Sequence, residues 1–300
     1  VDDVAAAFTH WVEPVNSILT QDTTGRTLQL AVGKVPVRDP LNRRVPVPAA
    51  DPRFAWRGYE PMAHVEVDGV AVNANNRRPD VEALGDDFAP PLRARRIWSL
   101  LSEDATPETI HMDALIGGVD MAADSAPAGA RAAHRSALAR ALADHPALRK
   151  LFEPHGYDPL FSAWLDPYVR IGLVVDRLAA ELGVHEPPMA SGPWGSRHVL
   201  APVVAPGLSV AEFPVVELSG DSDCVLATAS VPGVSDACGR GPVLRYVWDL
   251  TDRSRSRWIV PFGASDRPGD PHFLDQLPLW ATGELIPVVF DWHLLTEEKP

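Results

Sequence analysis

The sequence predicts an α+β fold, on three observations. Residues of hydrophobic type make up 46% of the 300, enough for a sizeable buried core. Runs rich in β-formers, separated by Gly, Asp and Asn turn signals, occupy the two ends of the chain, while helical periodicity occupies the middle. The two mainly β portions, residues 1–91 and 194–300, flank a helical stretch at 92–193. That order favours one α+β domain with a helical insertion over two independent domains.

The elements follow in chain order. A short helix is expected from Val4 to Trp11, ended by Pro14, which lacks the amide a helix needs. Strands are expected at Ser17–Leu19, Thr27–Val32 and Val65–Asn73, with turns at Asp22-Thr23-Thr24-Gly25 and Asp68-Gly69 and a Pro-rich loop from Val35 to Pro52. Leu92, Ile97, Leu100 and Leu101 are spaced for one face of a helix over Leu92–Leu101. Thr106-Pro107-Glu108-Thr109 is a helix start, with Thr106 as cap and Pro107 at the first helical position. Further helices are expected over Gly129–Leu142 and Pro159–Leu182, the latter with a break at Pro167. Strands then return at Val199–Val204, Val215–Leu218, Cys224–Ser230, Val243–Leu250, Arg257–Pro261 and Pro287–Trp292, with a short helix at His272–Trp280.

Charge narrows the partners. Asp plus Glu number 40 against 27 for Lys plus Arg, a net charge of −13. A phosphate-binding surface needs clustered positive charge, and the one basic run, Arg93-Ala94-Arg95-Arg96, is too short to supply it, so nucleic acid is excluded as an expected partner. No run of eighteen apolar residues occurs, so no transmembrane helix is predicted and no membrane partner is expected. The opening Val1-Asp2-Asp3 leads straight into an amphipathic pattern, which reads as the start of a processed or excised chain. Cys224 and Cys238, flanked by turn residues, are spaced to close one disulfide worth about 3 kcal/mol, with two unlinked thiols as the alternative.

No complete catalytic set is visible within the chain. There is no Gly-x-Ser-x-Gly elbow, and Gly239-Arg240-Gly241 lacks the third glycine of a dinucleotide fingerprint and reads as a hairpin turn. The ten histidines show no zinc-ligand spacing; His134, His145 and His155 read as surface or helix-end residues. Asp86-Asp87 and Asp221-Ser222-Asp223 could ligate a hard cation through oxygen, against a default of solvated turns.

Three segments, taken in order, resemble the β-chain of the penicillin acylase family of N-terminal-nucleophile hydrolases. The first is Phe8-Thr9-His10-Trp11-Val12-Glu13-Pro14-Val15-Asn16, continuing to Gln21-Asp22-Thr23-Thr24-Gly25 and Gly33-Lys34-Val35-Pro36-Val37-Arg38. The second runs from Trp56-Arg57-Gly58-Tyr59 through Asn73-Ala74-Asn75-Asn76 to Arg95-Arg96-Ile97. The third joins Trp194-Gly195-Ser196-Arg197-His198, Arg245-Tyr246-Val247-Trp248-Asp249-Leu250, Gly263-Ala264-Ser265 and Pro271-His272-Phe273-Leu274-Asp275-Gln276. The resemblance implies part of an αββα sandwich. It also implies acyl transfer from an amide through an acyl-enzyme, formed on a nucleophile whose own α-amino group is the base.

On that resemblance Asn75 matches the oxyanion-hole asparagine, with Asn73 and Asn76 as neighbouring candidates, and a carboxamide is a suitable neutral donor to the tetrahedral intermediate. Arg96 matches the arginine that holds the asparagine and the nucleophile's surroundings, with Arg93 and Arg95 as competitors. Asp86 falls near a calcium-binding carboxylate, so no cofactor is expected beyond a structural calcium. Three features depart from the family: the helical zone is shorter than is typical, Gly263-Ala264-Ser265-Asp266 has lost a glycine, and Val1 is not Ser, Thr or Cys. The expected partners are therefore a companion chain carrying the nucleophile and acyl pocket, and a small-molecule amide substrate, in an extracellular or periplasmic setting. The alternative is a homologous scaffold or binding subunit that keeps the fold without the chemistry.

Overall fold

The structure, a computed structural model, describes residues 1–300 except 43–44, 86–87, 104, 147–178, 185–191, 202–212 and 297–300. The chain divides into two compact units, Val1–Ala94 and Arg95–Pro300. Mixed helix and sheet bear out the α+β class. No helix among the described residues is long and apolar enough to cross a membrane.

The first unit is built on a three-stranded antiparallel sheet in the order β1 (Asn16–Gln21), β2 (Thr27–Val32), β3 (His64–Val67). Asp22-Thr23-Thr24-Gly25 turns β1 into β2 as expected. Asp22 Oδ1 accepts from the Thr24 and Arg26 amides at 2.9 and 3.2 Å, and Gly25 takes φ 88° at no steric cost. β2 is buried at every position, which requires cover on both of its faces. On one face Leu28, Leu30 and Val32, alternate residues and so on one side of the pleat, pack with Val1, Ala5 and Phe8 and with Ile18 of β1. Ala5 belongs to α1 (Asp2–Ala7), which runs on into a 3-10 turn at Phe8–His10. The expected strand Val65–Asn73 stops at Val67, because Asp68-Gly69 turns the chain there, with Gly69 at φ 79°.

The unit boundary falls inside α2 (Leu92–Ser102). In the second unit α3 (Pro107–Ile110) starts where the sequence placed it, and the Thr106 amide donates to Thr109 Oγ1 at 3.2 Å. β4 (Leu115–Ile116) and β5 (Val119–Asp120) form a small hairpin. α4 (Ala126–Asp144) is capped by Ser125, whose hydroxyl accepts from the Ala128 amide at 3.2 Å, and Leu138, Ala139, Leu142 and Ala143 on it form an apolar cluster with Ala179. β6 (Ala229–Val231) pairs with β7 (Ser235–Arg240) across a bulge. β8 (Arg245–Val247), β9 (Arg257–Ile259) and β10 (Ile286–Pro287) make an antiparallel sheet in the order β10-β9-β8. Before β10, α5 (Leu277–Thr282) ends at Gly283, whose φ of 83° makes a left-handed cap. Leu218, Cys238, Ile259, Leu277 and Trp280 are the buried cluster that joins these pieces.

Several expectations are corrected. The strands at Cys224–Ser230, Val243–Leu250 and Pro287–Trp292 shrink to two or three residues each, because the intervening chain forms side-chain-stabilised turns. At Asp249, for example, Oδ1 accepts from the amides of Thr251 and Asp252, both at 2.9 Å. Gly239-Arg240 ends β7 and is not a hairpin turn; the reversal lies between β6 and β7. Cys224 and Cys238 are free and buried: the Cys224 thiol donates to the Ala114 carbonyl at 3.0 Å, while Cys238 packs with Trp280. His134 is buried on α4 rather than exposed, and Asp221 and Asp223 are buried rather than solvated. The helix expected at Pro159–Leu182 lies largely, and His155 wholly, outside the described residues.

Candidate active site

The candidate site in the first unit is the corner Asn73-Ala74-Asn75-Asn76, and its three asparagines do different jobs. Asn73 Oδ1 accepts from the Asn75 amide at 3.1 Å, an Asx turn, and from Arg78 at 3.3 Å. Asn76 Oδ1 accepts from the Ala74 amide at 3.3 Å, and Asn76 Nδ2 donates to the Arg77 carbonyl at 3.2 Å. Both flanking carboxamide oxygens, and the Asn76 NH2 group, are thus spent on the turn. Asn75 itself sits at φ 60°, the one non-glycine residue at positive φ among the described residues. Asn is a side chain that tolerates that region, and such conformations cluster at functional sites. Its carbonyl accepts from the Ala89 amide at 2.9 Å, so both backbone polar groups of Asn75 are satisfied within the corner.

Its side chain is left for another purpose. Arg93, in the first turn of α2, places one guanidinium nitrogen 2.8 Å from the Ala74 carbonyl and 3.1 Å from Asn75 Oδ1. A guanidinium only donates, so the oxygen of the carboxamide must face it. Nδ2 then faces the other way, from an exposed residue, and no described residue accepts from it. The corner therefore presents a neutral two-proton donor on a backbone held at four points.

Arg96 is engaged elsewhere. Its Nε lies 3.1 Å from each oxygen of Asp113, and a terminal nitrogen lies 2.7 Å from Oδ2. This fork raises the Arg96 pKa above its ordinary value, through hydrogen bonding to the carboxylate first and charge second. Asp113 Oδ1 also accepts from the Leu115 amide at 3.3 Å, which ties α2 to the β4–β5 hairpin within the second unit. Of the three arginines in the basic run, then, Arg93 reaches Asn75. The sequence signal for it is only its place in that run.

Asp86 lies outside the described residues, and among the described residues no group of three or more His, Cys, Asp or Glu side chains could hold a metal ion. The polar groups of Asp221-Ser222-Asp223 serve packing instead. Asp221 pairs with Arg135 of α4 at 2.5 Å, both side chains buried, and this partner holds the Asp221 carboxyl below its usual range against the desolvation that pushes it up. Close by in the same unit His198 is fully buried, stacked on Trp194 with ring centroids 4.3 Å apart. Its Nδ1–H donates to the Asp236 carbonyl at 2.7 Å, and Nε2 lies 3.2 Å from Thr228 Oγ1. Burial lowers the His198 pKa, since no water is there to solvate the imidazolium.

Comparison with known proteins places the chain in a family. The penicillin acylase 2 proenzyme of Pseudomonas sp. (strain SE83) is 28% identical over 356 aligned positions, which cover 94% of this chain and 45% of that protein. The chain thus spans less than half the length of the curated relative it matches. A thermostable penicillin G acylase from Alcaligenes faecalis, solved in an orthorhombic form, shares the fold with a TM-score of 0.51 at 12% identity, over 100% of this chain and 71% of that one. The family model described as penicillin amidase matches residues 1–119 and 119–297, nearly the whole chain and both units, and by that match the chain belongs to the penicillin amidase family.

Proposed function

We propose that this chain is a segment of an acylase-type amidohydrolase, in which Asn75 supplies an oxyanion-hole donor. The nucleophile and much of the acyl pocket sit on polypeptide outside these 300 residues, as a companion chain or segment. The enzyme would cleave an acyl group from an amine, or pass it to another amine, through an acyl-enzyme on an N-terminal nucleophile. The setting is extracellular or periplasmic. Membership of the penicillin amidase family supports the reaction class. The observation that carries the site is the exposed Asn75 carboxamide, with its oxygen turned to Arg93 and its NH2 group unclaimed.

The chemistry follows from that arrangement. As a nucleophile adds to an amide carbonyl, negative charge collects on the oxygen. A donor already in place stabilises that charge without reorganising at the moment of reaction. Asn75 meets the requirement because its backbone is fixed before substrate arrives. Arg96, matched by resemblance to the supporting arginine, is forked onto Asp113, and its supporting role is proposed on the resemblance alone. Asp86 remains the proposed ligand of a structural calcium, and no step runs through it.

The test is turnover of the full-length protein on a series of N-acyl p-nitroanilides of graded acyl length. Asn75→Ala should lower kcat by roughly 100- to 1,000-fold. Unchanged turnover in that variant overturns the site, and absence of turnover in the parent protein across the series favours the scaffold reading.

A further inference from the structure

We infer that a groove in the second unit, between the 3-10 turn Arg253–Arg255 and the chain that follows β10, binds a small carboxylate amphiphile: an alkyl chain ending in one carboxyl group. The inference does not rest on the proposed role of Asn75.

Local hydrogen bonds build the walls. Asp252 Oδ1 accepts from the Ser254 amide at 3.0 Å and from the Ser254 hydroxyl at 2.6 Å, which fixes the first turn. The Val288 amide donates to the Ser256 carbonyl at 3.0 Å and ties the two segments together. Asp291 Oδ1 accepts from the His293 amide at 2.9 Å and starts the turn Trp292–Leu294. The cavity between them is about 410 Å³, within the roughly 300–1,000 Å³ of small-molecule sites. Pro287, Val289, Phe290 and Leu294 give it an apolar wall. Val289, Phe290 and Leu294 are exposed, so a hydrocarbon chain laid on them removes apolar surface from water.

Arg253 supplies the charge. Its guanidinium carbon lies over the Phe290 ring, 4.0 Å from the centroid. That stack positions the cation through the face of the ring without using its N–H donors. Among the described residues no carboxylate pairs with Arg253, whereas the neighbouring Arg255 pairs with Asp249 at 2.7 Å. In a chain of net charge −13, a cation left without an acid at the wall of an apolar groove is the complement of an anion. A guanidinium fork matches the two oxygens of one carboxylate. A phosphate would bring further negative charge, and the lining offers it Asp291 instead of a second cation. Cation and hydrocarbon side by side therefore select a singly charged head on an apolar chain.

The experiment is photo-crosslinking of the full-length protein with a decanoic acid that carries a diazirine in its chain, with adducts located by peptide mass spectrometry. Labelling is expected on residues 287–294. Decanoate should compete it roughly tenfold better than decanol, which has the chain without the charge. Arg253→Met, which keeps the bulk and removes the cation, should lower labelling of that segment roughly tenfold, and Arg253→Lys should lower it less. Val289→Asp, which sets a like charge on the apolar wall, should lower it as well, and takes the place of Arg253→Met if that variant fails to fold. No adduct on residues 287–294, the outcome if further polypeptide covers the groove, overturns the inference. So does labelling that the Arg253 and Val289 variants leave unchanged, or that decanol competes as well as decanoate.

Discussion

The corner around Asn75 and the network around Arg135 are both dense in polar side chains, and they are finished differently. In the second unit Arg135 meets Asp221, His198 meets Asp236 and Thr228, and Trp194 donates to the Gly220 carbonyl at 2.9 Å, all in buried surroundings. In the first unit the Asn73 and Asn76 carboxamide oxygens and both backbone groups of Asn75 are satisfied, and the NH2 groups of Asn73 and Asn75 have no acceptor among the described residues. The buried network is itself not fully closed: among the described residues Arg135 Nε and both ring nitrogens of His134 are buried without a hydrogen-bond partner, and a buried orphan is costly. The open donor of Asn75 lies on an exposed residue, where water satisfies it without that cost.

The comparison can be broken at several points. The largest effect is expected at the buried pair. Arg135→Met leaves the Asp221 carboxylate buried without its cation and should cost about 3–5 kcal/mol in urea unfolding. Arg135→Met with Asp221→Leu should cost clearly less than Arg135→Met alone, as both charges leave together. Equal losses would mean that the pair is not what the network depends on. A smaller effect is expected at the partly exposed fork. Arg96→Met should lower stability by about 1–2 kcal/mol through loss of the charge-assisted bonds to Asp113, read from the same unfolding curves. No loss would remove Arg96 from the structure's support.

The gentlest probe is pH. His198 has a folded pKa below its unfolded value of roughly 6.5. The unfolded chain therefore binds the proton first as pH falls. The stability held by the neutral imidazole is complete above about pH 6.5 and erodes below it, by at most about 1.4 kcal/mol per pH unit. Asp221, also lowered, acts in the same direction only below its ordinary carboxylate pKa of about 3.8. His198→Gln should flatten the dependence just below pH 6.5 and leave the acid limb. An unchanged slope would show that another group carries it.

Much of the first unit was legible in the sequence because its signals are local. Thr27–Val32 alternates between two faces and has exactly the predicted limits, and the Asp22–Gly25 turn is set by side chains within four residues. The class of the fold was also legible, from zone order, while Asn75 was offered by motif order as a candidate. The second unit was read less well. Apart from β7, its described strands are only two or three residues long, too short for a period of two to register. The fate of Cys224 and Cys238 was hidden because spacing permits a loop to close without saying where each thiol points. Here one turns to Ala114 and the other to the Trp280 cluster.

The sequence by itself determined that the chain is acidic and α+β and where β2 begins and ends, and its motif order marked the carboxamide at Asn75 as a candidate. These depend on composition, local periodicity and residue order. Only the tertiary structure decided which arginine of Arg93-Ala94-Arg95-Arg96 meets Asn75, that Arg96 is forked onto Asp113, and that Asp221 is a buried partner of Arg135 rather than a solvated turn. Those outcomes turn on the rotation of a helix and on contacts between residues 17 to 86 positions apart, where the pattern of one segment says nothing of what the other presents.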